Sequence, residues 1–313
     1  MRLCIVIVNY RTPGLVLDAL ESLTGQLDNT LDHVLIVDNA SGDDSADRIE
    51  HAVSARGLGS WCRVLRSSRN GGFSAGNNIG IRAAADARYY MLLNSDTIVR
   101  PNAVPALLAE MEAHPELGIA GPRLEWPDGT PQISCFRDHT PLSELLAAAK
   151  TGPITTLLHA FEVPMPVADE TIEAQWVSFA CVMIRREVID RVGLLDEGYF
   201  MYFEDSDYCR AARAAGFRIG YFPSARVVHL RGGTSDVKEK IAKRRRPPRY
   251  FYESRARYFR KGYGVLGPVA ANALWQLGRV VSLAREVAGN KAPHTCDKEW
   301  LDNWTDAFQL QSR

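Results

Sequence analysis

Short apolar runs alternate with helical patterns over the first hundred residues. The runs at residues 3–8, 34–37, 64–65 and 89–93 contain only aliphatic, aromatic and sulfur-containing side chains, a composition typical of strands that are buried on both faces. The segments between these runs carry apolar side chains at helical spacing. This alternation predicts an α/β domain with a mostly parallel sheet and helices on both of its faces.

Polar side chains follow three of these four strands, at the point where each strand ends. They are Asn9 and Tyr10, Asp38 and Asn39, and Asn94, Ser95 and Asp96. The carboxyl ends of parallel strands meet at one edge of a sheet, and ligands bind at that edge in open α/β folds. Oxygen atoms of carboxylates, hydroxyls and amides suit a hard divalent cation and the phosphates that accompany it. A turn in which Asp96 or Thr97 caps a helix that has Pro101 in its first turn is the other interpretation.

A segment rich in glycine and asparagine at residues 70–78 precedes a further helical pattern. It lacks the glycine spacing of the dinucleotide-binding fingerprint and the lysine of a phosphate-binding loop. Its glycines permit a phosphate to approach the backbone, and a helix that begins there offers free N–H groups. A flexible turn with helix caps is the alternative.

Three carboxylates fall within four residues in the second half of the chain. Glu204, Asp205 and Asp207 follow an apolar run at residues 200–203. Burial beside that run would raise the pKa of at least one carboxylate toward a value useful in proton transfer. Acids that stabilise the N-terminus of the following helix are the alternative. At the end of a short strand predicted at residues 227–229, His229 is open to both a structural role and a ligand role.

The middle of the chain is less regular. Residues 126–175 show weak periodicity and predict a long loop with a short helix near residues 142–149, and long loops in compact domains are often binding loops. Strands are expected at residues 176–184 and 217–222, where apolar side chains dominate.

Composition narrows the class of protein. The 313 residues have zero formal net charge, so the whole chain gives no case for nucleic-acid binding. Six scattered cysteines without a C-x-x-C pair indicate a reducing, cytoplasmic compartment and argue against disulfides and a zinc site. The first apolar run is too short for a signal peptide, and no run approaches the length of a membrane span.

The C-terminal tail differs in charge from the rest. Between Lys238 and Lys261 there are eleven Lys and Arg residues against two acids, interleaved with Tyr and Phe. Residues 265–288 then predict a helix with one apolar face. The members of that face are Leu266, Val269, Ala273, Leu277, Val280, Ala284 and Val287. The helix could pack on its own domain, join a homodimer, or lie with residues 238–290 on an anionic membrane at the inner face of the cell membrane.

Six stretches taken together resemble glycosyltransferase family 2, the inverting enzymes of GT-A fold. The stretches are Val8-Asn9-Tyr10, residues 36–41, Asn70-Gly71-Gly72-Phe73 with Gly76-Asn77, Asn94-Ser95-Asp96, residues 203–207, and His229 with Gly232-Gly233. The similarity covers about residues 3–235, and six stretches in the family's order are specific although each alone is weak. Within the family, the chain looks most like the rhamnosyltransferase-like branch of bacterial surface-polysaccharide synthesis, and residues 258–261 support this placement.

The resemblance implies a nucleotide-sugar donor, either a dTDP-sugar or a UDP-sugar, with dTDP-L-rhamnose as the expected one. Asp38 would accept from the N–H of the pyrimidine base, and Tyr10 would flank the base. Further donor contacts are implied for the motif residues Val8, Asn9, Asn39, Gly72, Phe73, Asn77, Asn94 and Ser95. The family's D-x-D motif corresponds to residues 94–96, so Asn94 replaces its first acid and direct metal ligation there is in doubt.

The resemblance also implies roles in catalysis. Asp96 would bind Mg²⁺ or Mn²⁺, which holds the donor diphosphate, and His229 corresponds to an additional metal ligand of some members. Asp205 corresponds to the catalytic base, which takes the proton of the acceptor hydroxyl. The acceptor is expected to be a glycan or polyprenyl-linked glycan. Candidate acceptor residues are Trp176, Glu204, Asp207 and Arg231.

The expected organisation is a GT-A catalytic domain at residues 1–235 and a helical extension at residues 236–313. The nucleotide-sugar half would end near residue 100. Two other classes compete, a nucleotidyltransferase and a non-catalytic module that binds nucleotide sugars. The first would place a glycine-rich loop with a basic residue directly after the first strand, and residues 9–14 fit that poorly. The second would not need Asp205.

Overall fold

The structure is a computed structural model that describes residues 1–231 and 237–309. Its strands, in chain order, are β1 (Leu3–Asn9), β2 (Asp32–Asp38), β3 (Cys62–Arg66), β4 (Tyr89–Asn94), β5 (Thr97–Val99), β6 (Leu117–Glu125), β7 (Cys135–Phe136), β8 (Ile172–Glu173), β9 (Trp176–Val177), β10 (Cys181–Arg185) and β11 (Arg218–His229).

The helices alternate with the strands in the first half of the chain and dominate its end. They are α1 (Pro13–Leu23), α2 (Ser45–Ala55), α3 (Gly72–Ala83), α4 (Ala103–Ala113), α5 (Pro141–Ala149), α6 (Gly152–Leu157), α7 (Arg186–Val192), α8 (Glu204–Ala214), α9 (Val237–Ala242), α10 (Arg249–Tyr263), α11 (Gly267–Val287) and α12 (Glu299–Asp302), with a 3₁₀ turn at His159–Phe161.

The main sheet has the strand order β3-β2-β1-β4-β10-β6-β11-β5, and β8 pairs with β11. The four strands predicted from the first hundred residues are mutually parallel, whereas β10 runs antiparallel to β4 and to β6. β7 and β9 form a separate antiparallel pair. The predicted α/β class with a central, mostly parallel sheet flanked by helices is therefore confirmed.

Close packing of α3 on β1 explains two glycines of that helix, Gly76 within the glycine-rich segment and Gly80 just after it. A Cβ atom on Gly76 would lie 2.8 Å from a Val8 methyl, and one on Gly80 would lie 2.5 Å from a Val6 methyl. Any larger side chain would push the helix off the strand. These two positions serve helix–sheet packing, so the glycines that remain for a ligand role lie at the start of α3.

Local structure departs from the predictions in three places. Thr97–Val99 is a strand that pairs with β11, so the alternative interpretation, in which Asp96 or Thr97 caps a helix, is wrong. The single strand expected at residues 176–184 is divided into β9 and β10. The two strands expected at 217–222 and 227–229 are one strand, because β11 continues through an irregularity between Phe222 and Arg226.

The described residues divide into two compact units. The first contains residues 1–136, 166–197 and 205–231, and the second contains residues 137–165, 198–204 and 237–309. The predicted boundary between residues 235 and 236 lies outside the described residues and stays a prediction. The sequence did not indicate that residues 137–165 and 198–204 group with the C-terminal helices.

The second unit is helical and is held together by aromatic and ionic contacts. Tyr258 and Phe259 of α10 are fully buried and pack with Tyr199 and Phe203. Arg255 binds Glu144 of α5 at 2.8 Å. Among the described helices, none is both long and apolar enough to cross a membrane.

Candidate functional site

The polar ends of β1, β2 and β4 lie side by side. The register pairs Asn9 with Asp38 and Val8 with Asn94. The predicted convergence of these three strand ends on one edge of the sheet is therefore confirmed. The strands themselves are buried, so their ends are fixed by the core beneath them.

Asp38 is the centre of a buried hydrogen-bond network at this edge. Its Oδ1 accepts from Asn9 Nδ2 at 2.7 Å and from Ser41 Oγ at 2.6 Å. Its Oδ2 accepts from the Ser41 N–H at 3.2 Å. A carboxylate oxygen has room for a further donor, so Oδ2 can accept from a ligand N–H such as that of a pyrimidine base.

Tyr10 lies in the turn that follows β1, and Ser95, just after β4, contacts that turn through Thr12. The Tyr10 ring is 36% exposed, with the Arg11 guanidinium 5.2 Å from its centroid. Ser95 is buried, and its hydroxyl lies 3.2 Å from that of Thr12. Tyr10 therefore offers an accessible aromatic face, whereas Ser95 is tied to the start of α1.

Asn39 connects β2 to the glycine-rich segment. Its Nδ2 donates to Asn70 Oδ1 at 2.9 Å and to the Gly72 carbonyl at 3.0 Å. Gly72, the first residue of α3, has a positive φ of 83°, a conformation that glycine adopts without strain. Asn77 is buried and donates to the Phe73 carbonyl within the same helix. Asn39 and Asn77 thus shape this segment from within.

Asp96 and His229 come together from different elements. His229 pairs with Thr97 where β11 runs antiparallel to β5. The carbonyl of Asp96 accepts from the Leu230 N–H at 2.9 Å. These backbone contacts bring His229 Nε2 within 3.6 Å of Asp96 Oδ1, and both side chains are almost fully buried.

A divalent cation fits this pair by its chemistry. A carboxylate oxygen suits Mg²⁺ and Mn²⁺, and the imidazole nitrogen favours the transition metal. The 3.6 Å separation is near the spacing of about 3 Å between adjacent ligands of one octahedral ion. The described residues contain no group of three or more His, Cys, Asp or Glu side chains that could hold an ion, so a cation here would take its remaining ligands from other groups, such as the oxygens of a bound diphosphate or of water.

Arg231 and Gln132 lie beside this pair. Arg231 stacks over Trp126 at 5.3 Å and donates to Gln132 Oε1 at 2.5 Å. Burial lowers the pKa of Arg231, and the nearby Asp96 carboxylate opposes that shift. Gln132 Nε2 donates to the His229 carbonyl at 2.8 Å. Gln132 therefore joins the Arg231 side chain to the strand that carries His229.

The three acids at the start of α8 are not equivalent. Glu204 and Asp207 are buried, whereas Asp205 is half-buried. Asp207 binds Arg210 at 2.8 Å. Asp205 Oδ1 accepts from the Ser206 N–H at 2.8 Å. Asp205 is therefore the most accessible of the three carboxylates.

The segment from β9 to β10 connects α8 to the end of β4. The Phe179 ring meets Tyr208 of α8 edge-on at 6.2 Å, and the carbonyl of the next residue, Ala180, accepts from the Asn94 N–H at 2.9 Å. Trp176 stacks on Phe136 at 4.0 Å and is 7% exposed, so one face of its ring is covered. These contacts bring the helix of Asp205 toward the strand end that precedes Asp96.

Sequence reasoning missed Thr12, Ser41 and Gln132. Ser41 stood within a recognised stretch, and its place three residues after Asp38 is a signal for a side chain that turns back onto the carboxylate. Thr12 and Gln132 carry no such signal. Gln132, for example, lies within residues 126–175, which show only weak periodicity. The glycine pair after His229, Gly232-Gly233, lies outside the described residues.

Curated relatives are similar over part of the chain. The low-salt glycan biosynthesis hexosyltransferase Agl10 of Haloferax volcanii is 26% identical, with 72% of this chain and 66% of that protein covered. The N-acetylglucosaminyl-diphospho-decaprenol L-rhamnosyltransferase of Mycobacterium tuberculosis is 29% identical, covering 45% and 46%. The dTDP-rhamnosyl transferase RfbF of Shigella flexneri is 23% identical, covering 74% and 69%. The chain spans less than two thirds of the length of the first two.

A solved structure and a family profile complete the comparison. The mannosyltransferase PcManGT of Pyrobaculum calidifontis, solved with GDP-Man and Mn²⁺, has a TM-score of 0.58 at 13% identity, covering 94% of this chain and 77% of that one. This likeness concerns the fold and confirms the expected GT-A architecture. The profile described as "Glycosyl transferase family 2" matches residues 4–193. On this match over more than half of its length, the chain belongs to glycosyltransferase family 2.

Proposed function

We propose that the chain transfers L-rhamnose from dTDP-L-rhamnose to a glycan or polyprenyl-linked glycan in surface-polysaccharide synthesis, with inversion at the anomeric carbon. The observation that carries the proposal is the approach of His229 to Asp96 at the edge that also holds the Asp38 network. The names of two relatives, the L-rhamnosyltransferase of Mycobacterium tuberculosis and the dTDP-rhamnosyl transferase of Shigella flexneri, support this sugar and this nucleotide. A UDP-sugar is the alternative donor, because uracil and thymine present the same N–H to Asp38.

The donor would lie along the carboxyl ends of β1, β2 and β4. Asp38 accepts from the base, and Tyr10 covers one face of the base. The diphosphate faces Asp96, His229 and the start of α3. Mg²⁺ or Mn²⁺ held by Asp96 and His229 would neutralise the charge that develops on the departing diphosphate. Arg231 adds a positive charge beside Asp96.

Asp205 would remove the proton from the acceptor hydroxyl as its oxygen attacks the anomeric carbon. One base and one stabilised leaving group are enough for a single displacement, which inverts the anomeric carbon and forms no covalent enzyme intermediate. Trp176, Glu204 and Asp207 would shape the acceptor side. Residues 238–290 would bring the chain, located in the cytoplasm, to an anionic membrane where a lipid-linked acceptor resides.

The test is release of nucleoside diphosphate from a panel of dTDP- and UDP-sugars, with a polyprenyl-diphosphate-linked N-acetylglucosamine as acceptor. We expect dTDP release from dTDP-L-rhamnose that increases with acceptor and stops in EDTA. Release of UDP alone would select the alternative donor. Pyrophosphate release from nucleoside triphosphates would indicate a nucleotidyltransferase. Donor binding without release from any sugar nucleotide would contradict the proposal and favour a binding module.

A further inference from the structure

The outward face of α11 is apolar along the whole helix. At about 100° per residue, the exposed apolar positions from its N-cap to its last turn fall within an arc of about 140°. They form what we call the apolar stripe: Leu266, Ala270, Ala273, Leu277, Val280, Leu283, Ala284 and Val287. The side chains of Val280 and Val287 are 63% and 82% exposed.

The opposite face of α11 is the one that the fold uses. Gly278 lies so close to α5 that a Cβ atom would be 2.4 Å from the Leu145 carbonyl. Asn272 is buried, accepts from Arg255 at 2.6 Å and donates to the Asn303 carbonyl at 2.8 Å. A helix on the surface of a globular protein normally has the reverse arrangement, with its apolar side inward. Contiguous exposed apolar surface of this kind marks an interaction site.

A cavity of about 740 Å³ borders the apolar stripe and lies within the second unit. Val280 and Leu283 of α11 form part of its wall, together with the rings of Trp275 and Trp300. Its charged lining residues are four cations and one acid, namely Lys243, Arg244, Arg279, Lys298 and Asp297. Apolar surface and positive charge therefore adjoin at one place.

Two of the four cations are available to a ligand. Lys243 is paired with Glu239, and Arg279 binds Glu286 at 2.6 Å. Within the described part of the chain, Arg244 and Lys298 take part in no ion pair, and the Arg244 side chain donates only to the Thr295 carbonyl, at 3.3 Å. The cavity thus has positive charge that no described side chain neutralises by direct contact.

We propose that this surface binds an anionic phospholipid bilayer, with a headgroup phosphate in the cavity against Arg244 and Lys298. The apolar stripe then lies at the boundary between headgroups and acyl chains, where interfacial helices bind. Trp300, which is 58% exposed, sits at the rim, and tryptophan is enriched at that depth. The inference deepens the membrane contact proposed for residues 238–290 and does not depend on the transfer reaction.

A bilayer suits the charge of this surface better than a second copy of the chain does. A two-fold contact through the same face would bring the cations of both copies together, and like charges oppose association. An anionic leaflet neutralises them, with about 1 kcal/mol of attraction for each Lys or Arg near the surface, which is about five-fold in partitioning.

The test is flotation of the full chain with vesicles of phosphatidylcholine and phosphatidylglycerol, and with vesicles of phosphatidylcholine alone. We expect binding to the anionic vesicles and much weaker binding to the neutral ones. Arg244→Ala with Lys298→Ala should lower the partition coefficient about 30-fold. Leu277→Ser with Val280→Ser should lower it more than about 100-fold, because two large apolar groups no longer enter the bilayer.

Matched controls use exposed residues that belong neither to the apolar stripe nor to the lining of the cavity. Leu157→Ser removes an apolar side chain that is 80% exposed, and Arg63→Ala removes an exposed cation; both should float like the unaltered chain. Thermal unfolding checks that each variant is folded. Equal flotation of the unaltered chain and the two double variants would overturn the proposal. So would the absence of vesicle binding, or a stripe variant whose only change is reduced self-association in sedimentation. Nucleotide release with a water-soluble acceptor, measured in parallel, separates these failures from failure of the transfer reaction.

Discussion

Polar side chains are usually exposed and apolar side chains usually buried. The carboxyl edge of the main sheet and the outward face of α11 depart from this rule in opposite ways. At the sheet edge, Asn9, Asp38 and Ser41 are buried and bonded to one another. On α11, Leu277 and Val287 are more than half exposed. Buried polar groups persist where partners satisfy them, and an exposed apolar stripe marks a surface that something else covers.

The difference teaches that the chain has two kinds of functional surface, built by different means. The sheet edge is rigid because buried strands fix its side chains in register. The helix face needs no fixed side-chain geometry, since burial of apolar area has no directional requirement. Substitutions at the first region should therefore change chemistry and leave vesicle binding unchanged, and substitutions at the second should do the reverse.

The largest effect is expected for Asp205→Asn, which keeps the shape of the side chain and removes its basicity. Loss of a general base typically lowers the rate by ~10²–10⁴-fold, and we expect this loss in kcat with donor affinity nearly intact. Turnover measured beside donor calorimetry checks it. Vesicle flotation of the same variant should be unchanged, which sharpens the division between the two regions.

Glu204→Gln and Asp207→Asn are matched controls for that prediction. Asp207 already binds Arg210. Removal of the Asp207 charge should therefore act through packing or acceptor orientation, and it should lower activity less than Asp205→Asn does. The assignment of Asp205 is wrong if its variant turns over like the unaltered enzyme, or if the whole defect is lost donor affinity.

Asp38→Asn should have the next largest effect. The change places an amide where Oδ2 now accepts from the Ser41 N–H and removes a charged acceptor for the base. Hydrogen bonds to charged groups contribute about 1.5–3 kcal/mol, so donor affinity should fall about 10- to 100-fold. Calorimetry with dTDP measures it, and Asp43→Asn on the neighbouring exposed turn is the control. Unchanged affinity would remove Asp38 from the donor site.

Gln132 should have a smaller effect that is specific to metal use. Gln132→Ala loses the donor to the His229 carbonyl and the acceptor for Arg231. The bond to the His229 carbonyl, on the strand of the proposed metal ligand, is neutral, and neutral hydrogen bonds contribute about 1 kcal/mol. We therefore expect a few-fold rise in the metal concentration needed for half-maximal rate. Gln132→Glu keeps an acceptor for Arg231 but not the donor to His229, and it should show an intermediate rise. A loss of thermal stability without any change in metal dependence would make Gln132 merely structural.

The last variant leaves the chemistry and the outward face of α11 untouched, and it concerns the stability of the unit that carries α11. His139 packs against the rings of Phe203 and Tyr258, and burial, with a contribution from Arg255, lowers its pKa to about 3. The unfolded chain takes up this proton near pH 6.5 and the folded chain does not. Stability should therefore be present above that pH and fall as pH drops toward 3, by at most ~1.4 kcal/mol per pH unit.

Urea unfolding between pH 7.5 and pH 5 measures this dependence. His139→Phe should remove the part that His139 contributes, whereas His51→Asn, at an exposed position, should leave the dependence as it was. If the free energy of unfolding of His139→Phe depends on pH as it does in the unaltered chain, the imidazole of His139 is not held neutral by its surroundings.

The sheet edge was predictable because the end of each of its strands can be recognised in the sequence. A buried apolar run followed at once by Asn, Asp or Ser places those side chains at the sheet edge from local sequence alone. The approach of His229 to Asp96 depends on pairing between β5 and β11, which are distant in the chain, and no local pattern encodes that pairing. The family resemblance, not periodicity, pointed to His229.

The apolar face of α11 was also predictable, but its exposure was not. Spacing shows which residues share a face, and only tertiary packing decides which face turns inward. Small and polar residues such as Gly278 and Asn272 allow α11 to pack closely and bond across its inner side. The division of the strand expected at residues 176–184 has a similar cause, because β9 pairs with β7 in the small sheet whereas β10 pairs with β4 and β6 in the main sheet.

The central claim is that the sheet edge holds a nucleoside diphosphate through a metal. The most direct test is calorimetry of dTDP binding to the unaltered chain and to Asp96→Asn, each with Mn²⁺ and with EDTA. In the unaltered chain, EDTA should weaken binding by at least about 10-fold, because the cation no longer joins the carboxylate to the diphosphate. Asp96→Asn in Mn²⁺ should bind as weakly as the unaltered chain in EDTA. Binding to Asp96→Asn that keeps its full dependence on Mn²⁺ would show that the metal is held elsewhere.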